Sequence, residues 1–118
     1  MKQFKRSDRV AEEIRRIASE VWDAEMAHKT PGMLTFTRVD LTGDLRYAKL
    51  YYSYLGNEQD RDNLAEFLIQ NTRKIRGLIG SNLRLRHIPE ITFKFDPSIQ
   101  EGVRIEELLN EIKRDADK

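Results

Sequence analysis

Arg46-Tyr47-Ala48-Lys49-Leu50-Tyr51-Tyr52-Ser53-Tyr54-Leu55 alternates strictly enough to be read as a strand with two unlike faces, Ala48, Leu50, Tyr52 and Tyr54 on one and Tyr47 and Tyr51 on the other. Upstream, Leu34 to Leu41 is rich in β-branched and aromatic residues. Thr42-Gly43-Asp44 supplies turn chemistry between the two runs, which predicts an antiparallel hairpin. Downstream, Gly56-Asn57 closes the second strand and the period changes to that of a helix, with Leu64, Phe67 and Leu68 continued by Ile75, Leu78 and Ile79. One apolar face persists across the run. Asn71 and Thr72 are its weakest helix formers, because their side chains compete for backbone hydrogen bonds, and a kink or break is expected there.

The remaining elements lie outside this centre. Val10, Ile14, Ile17 and Val21, with Ala18 and Trp22 beside them, predict an amphipathic helix from Asp8 to about Met26. Ser7 or Asp8 is the expected cap, so residues 1–7 read as a flexible basic arm carrying Lys2, Lys5 and Arg6. Pro31 disfavours helix at Thr30, and Gly32 admits a turn. After Pro89, Ile91, Phe93 and Phe95 alternate with Thr92 and Lys94 as a third strand. Ile99, Val103, Ile105, Leu108, Leu109 and Ile112 predict a C-terminal helix. Few strands, several helices and one hairpin imply a small sheet covered by helices, a single α+β domain over residues 1–118. Tyr47 and Tyr51 then offer two readings, stacking on bases or cover by a second helix, and the second is favoured because both rings would otherwise be exposed.

Charge is distributed unevenly. The net charge is only +1, yet no Asp or Glu occurs between Phe67 and Pro89, a stretch that holds Arg73, Lys74, Arg76, Arg84 and Arg86. Clustered cations without acids create a local positive field suited to phosphate backbones. The same cluster also fits a solvated basic helix face, and charge alone does not separate the two.

Several function classes are excluded or disfavoured. With no cysteine, disulfides, thiol nucleophiles and thiolate metal sites are ruled out. His28 and His87 are isolated and lack ligand spacing, so surface or capping roles are favoured over a metal, and no cofactor is expected. No serine has a base partner pattern, and the helical carboxylates alternate with Arg or Lys, so nothing resembles a catalytic set and no small-molecule substrate is expected. An enzyme such as a hydrolase is therefore the weakest reading. No apolar run is long enough to span a membrane and the basic start leads into an amphipathic pattern, so a cytoplasmic location is expected. Gly77-Leu78-Ile79-Gly80 matches the GxxG string that clamps nucleic-acid backbones, but Leu78 and Ile79 continue the apolar face, which favours helix packing and a C-cap.

Other strings carry a family resemblance. Arg6 with Arg9-Val10-Ala11 and Ile14 stand near the start, and Asp44-Leu45 and Tyr47-Ala48-Lys49-Leu50-Tyr51 follow in the hairpin. Arg84-Leu85-Arg86, Ile88-Pro89-Glu90-Ile91, Phe93, Asp96, Ser98-Ile99, Gly102, Arg104-Ile105 and Leu108-Leu109 complete the set. Over nearly its whole length the chain resembles the ribosome-binding factor A family. The resemblance implies a type II KH-like (αββααβ) fold with an additional C-terminal helix. It also implies a non-catalytic cytoplasmic maturation factor that binds free small (30S) ribosomal subunits and assists late 16S rRNA processing, with contacts toward the rRNA 5′ region and action as a monomer. Arg73, Lys74, Arg76, Arg84 and Arg86, with Lys2, Lys5 and Arg6, are the expected RNA contacts.

In that family an Ala-x-Gly kink precedes an Ile-Arg pair, here Ile75-Arg76, but this chain has Asn71, Thr72 and Arg73 at the kink. His28-Lys29-Thr30 likewise replaces an Asp-Pro-Arg loop pattern, while Gly32 remains. The reading from a different class is a protein-interaction adaptor, docking through the C-terminal helix or a sheet edge.

Overall fold

The computed structural model describes residues 6–98 and 106–113. Helix α1 spans Arg6–Val21 and continues through a π-helical turn, Trp22–Met26, and a short 3₁₀ turn, Ala27–Lys29. The hairpin strands are β1 (Met33–Leu41) and β2 (Tyr47–Leu55), followed by α2 (Glu58–Gln70), α3 (Thr72–Gly80) and β3 (Glu90–Phe95). Residues 106–113 are helical and exposed throughout, within the helix expected from Ile99 to Lys118. The order αββααβ with a further helix is the expected one.

Helix α1 starts earlier than its sequence suggested. Arg6 is already helical and Ser7 is buried at 8% exposure, so Arg6 belongs to the helix rather than to a free arm. Lys2 and Lys5 lie outside the described residues. The π turn at the other end widens the helix by one residue, and it coincides with burial of both Trp22 and Met26. Trp22 meets Phe36 and Phe67 edge-on, each with ring centroids 6.2 Å apart, and so joins helix α1 to the sheet and to α2.

The sheet order is β1-β2-β3, with β1 antiparallel and β3 parallel to β2. A parallel neighbour requires a crossover, and α2 and α3 supply it. Ala48, Leu50, Tyr52 and Tyr54 are all buried beneath the helices, as their alternation predicts. A bulge between Phe36 and Arg38 shifts the register of β1, so the pairing passes from Phe36 with Tyr52 to Arg38 with Tyr51. The other face carries no described helix. Tyr47 is 56% exposed, and the Arg38 guanidinium lies 4.1 Å from the centre of the Tyr51 ring. The expectation of a second covering helix is thus corrected for the described residues: polar neighbours, Lys49, Thr92 and Lys94, flank the tyrosines and need no cover.

Two turns explain particular residues. Gly32 takes φ +78°, and a Cβ there would lie 2.6 Å from the Leu55 carbonyl oxygen and against the hydroxyl end of the Tyr54 side chain, whose hydroxyl donates to Pro31 O at 2.9 Å. In the β1–β2 turn the left-handed position is not a glycine but Leu45, at φ +62°. Thr42 Oγ1 donates to Asp44 Oδ1, which also accepts from the Arg46 N–H, and the Leu45 N–H donates to Thr42 O. These bonds hold the Asp44 carboxyl below its usual range, the Thr42 hydroxyl first and the Arg46 amide second. They also hold Leu45 in a region that costs an L-residue about 1–2 kcal/mol.

Candidate nucleic-acid interface

The run from Leu64 to Ile79 breaks at Asn71, which sits at φ −106°, ψ 11° between α2 and α3. Its backbone N–H and its Nδ2 both donate to Phe67 O, at 3.0 and 2.8 Å, and Thr72 Oγ1 donates to Leu68 O at 2.8 Å. Side chains that satisfy the last carbonyls of α2 make the break without a glycine. Helix α3 therefore points its residues independently of α2. Ile75 and Ile79 enter the core. Arg73, Lys74 and Gly77 are exposed on the outward side, and Arg76 and Gly80 are partly buried.

Arg76 has a structural role that charge counting hides. Its Nε donates to Pro89 O at 2.9 Å and its Nη2 to Ile88 O at 2.6 Å. One guanidinium thus ties α3 to the entry of β3. Gly80 completes the contact, because a Cβ there would stand 2.9 Å from Ile88 Cγ1. Buried Leu83 and Pro89 pin the two ends of the intervening segment, leaving Arg84 and Arg86 exposed.

The GxxG string accordingly has a divided explanation. Gly80 is required by packing, whereas the C-cap is Ser81 in ordinary helical conformation, not a glycine. At Gly77 an added Cβ would meet nothing within 4 Å. Gly77→Ala should therefore stabilise the protein by about 0.5–1 kcal/mol in urea unfolding, the helix-propensity difference, and Gly80→Ala should lose about 1 kcal/mol as Ile88 is displaced.

The cations form two groups around α3. Arg73 and Lys74 face outward, and Lys74 lies beside Lys29 from the 3₁₀ turn. A hydrogen bond that the neutral Lys29 amine accepts from the Lys74 ammonium, and then Coulomb repulsion between the two charged forms, hold Lys29 below the ordinary lysine range. On the other flank a cleft of about 500 Å³ is lined by Arg6, Arg46, Arg76, Arg86 and His87. Asp44 and Glu90 are its acids, and Leu45, Tyr47, Leu85 and Ile88 its apolar wall. Among the described residues, the ion pairs join Arg15 to Glu12, Arg16 to Glu20, Arg38 to Asp40 and Arg61 to Glu58 and Asp62. None of them neutralises Arg73, Lys74, Arg84 or Arg86.

Of the residues singled out in the sequence, Arg6, Arg76 and Arg86 converge on the cleft, Arg73 and Lys74 stand on the outer face, and Arg84 is exposed on the 81–89 segment. Lys29, Arg46 and His87 were missed as members of these groups. Lys29 could have been found from His28-Lys29-Thr30, which replaces the family's Asp-Pro-Arg loop pattern and so loses its acid. Arg46 had no local signal, since Asp44 beside it looks like its partner and instead bonds the turn backbone. No group of three or more His, Asp or Glu among the described residues could hold a metal ion, and no described helix is long and apolar enough to cross a membrane.

Fold and surface together define a KH-like α+β domain with a basic outer helix face and a basic cleft. The chain belongs to the ribosome-binding factor A family, whose model matches residues 6–109. It is 40% identical over 107 residues to the ribosome-binding factor A of Natranaerobius thermophilus, covering 91% of this chain and 82% of the relative. It is 38% identical over 109 residues to that of Staphylococcus epidermidis, covering 92% and 94%. Among solved structures, a Thermotoga maritima protein solved by NMR superposes with a TM-score of 0.65 at 33% identity, covering 80% of this chain and 90% of that one. A Thermus thermophilus ribosome-binding factor A, fitted as a homology model into a cryo-EM map of a 30S complex, gives 0.65 at 18% identity, covering 77% and 96%.

Proposed function

We propose that this protein binds free small ribosomal subunits in the cytoplasm, as a monomer, and assists late 16S rRNA processing and assembly toward the rRNA 5′ region without catalysing a reaction. The observation that carries the reading is the pair of cation groups on α3 and the 81–89 segment, in which Arg73, Lys74, Arg84 and Arg86 join no ion pair among the described residues, in a chain of net charge +1. Family membership and the 30S complex of the Thermus relative support the choice of partner. Arg73, Lys74, Arg84 and Arg86 contact phosphates, joined by Lys2, Lys5 and Arg6 from the N-terminal side. Phosphate contacts of this kind set position, and discrimination comes from the shape and unpaired segments of an immature rRNA site. Arg76 contributes chiefly by holding the 81–89 segment in place.

A strain lacking the gene should accumulate 16S precursor with unprocessed ends, and the wild-type chain should restore processing. Restoration by a variant with Arg73, Lys74, Arg84 and Arg86 all neutralised would overturn the reading. Exposed Leu108, Leu109 and Ile112 on the helix at 106–113 favour a second reading, a protein-docking adaptor. Salt separates the two, because apolar docking barely responds to ionic strength while phosphate binding falls steeply.

A further inference from the structure

The cleft is built for more than a phosphate. An anion site needs donors, and Arg76 and Arg86 supply them, the former fixed by its two bonds to backbone carbonyls. It has no need of the apolar wall opposite, and still less of Leu45, a half-buried leucine held at φ +62° where glycine or asparagine would sit without strain. That leucine and Leu85 line the cleft with Tyr47, a residue 56% exposed, whose N–H and carbonyl are both tied to Thr42. An exposed aromatic on a fixed backbone, two aliphatic side chains and a guanidinium pair in one cleft of about 500 Å³ match the parts of a nucleotide.

We infer that the cleft takes one unpaired nucleotide of an RNA strand, its base against Tyr47, Leu45 and Leu85 and its phosphate on Arg76 and Arg86. The inference rests on the rRNA-binding reading and specifies its ligand. A paired base cannot offer its face to Tyr47, so duplex RNA is excluded from the cleft.

The test uses the full chain, labelled with ¹⁵N and titrated with AMP, ribose 5-phosphate, inorganic phosphate, a single-stranded RNA pentamer and a blunt RNA duplex. AMP should shift the amides of Leu45, Tyr47, Leu85 and His87 and bind about fivefold or more tighter than ribose 5-phosphate, the contribution of one stacked base. The pentamer should bind the same amides more tightly than AMP. Leu45→Gly, which suits the left-handed backbone and so preserves the turn, and Tyr47→Ala should each reduce AMP to the level of ribose 5-phosphate. Equal binding of AMP and ribose 5-phosphate would overturn the base contact, and tighter binding of AMP than of the pentamer would overturn assignment to an RNA strand. Shifts with the duplex at these amides would overturn selection for an unpaired base. Retention on small subunits, measured on the same samples, separates the two claims. If subunits bind and AMP does not, only the nucleotide inference fails; if AMP binds and subunits do not, the rRNA reading fails.

Discussion

Replacing Arg73, Lys74, Arg84 and Arg86 together by Gln should lower affinity for free small subunits on the order of a hundredfold at 0.15 M salt and flatten the salt dependence by about three to four logarithmic units. Each lost phosphate contact removes roughly one released counterion, and the four effects add because the contacts are electrostatic and separate. The fold should survive, since all four side chains are exposed and none joins an ion pair among the described residues. Binding measured at three salt concentrations, with circular dichroism as a control, checks this. An unchanged slope in a folded variant would show that these cations do not meet phosphates.

Arg76→Ala should behave differently, destabilising the protein by about 2–4 kcal/mol in urea unfolding. Two charge-assisted bonds are lost, and the part-buried carbonyls of Ile88 and Pro89 are left without their donor. Arg76→Lys should recover less than half of this, because a single ammonium cannot span both carbonyls as the planar guanidinium does. The 81–89 segment would loosen in either variant, so binding falls through disorder of Arg84 and Arg86, and in Arg76→Ala through loss of the Arg76 cation as well. A stability loss under about 0.5 kcal/mol would contradict the clamp.

What the sequence made legible was local. Alternation over 46–55 placed Ala48, Leu50, Tyr52 and Tyr54 in the core, and the weak helix formers at 71–72 located the break between α2 and α3. Asn71 could be read because its means of breaking a helix is its own side chain bonding the preceding turn. The role of Arg76 could not, since nothing in its neighbours names Ile88 and Pro89 as acceptors twelve and thirteen residues away. The cleft was invisible for the same reason: Arg6, Arg46 and Arg86 meet only after the crossover sets β3 parallel to β2. The open sheet face was not legible either, because two tyrosines on one strand face look as though they need a helix over them, and Arg38 over Tyr51 supplies much of that cover from the neighbouring strand. The bulge beside Phe36 had no local marker such as glycine, and it is visible only in the pairing register.

The central claim, recognition of an rRNA-bearing subunit through phosphate contacts, is tested most directly by co-sedimentation of the purified protein with free small subunits, intact ribosomes and naked small-subunit rRNA across a salt series. Retention on free subunits in preference to the other two, falling steeply as salt rises, is the predicted result. Equal retention on all three would contradict it by reducing the interaction to polyanion attraction, as would retention on free subunits that is indifferent to salt.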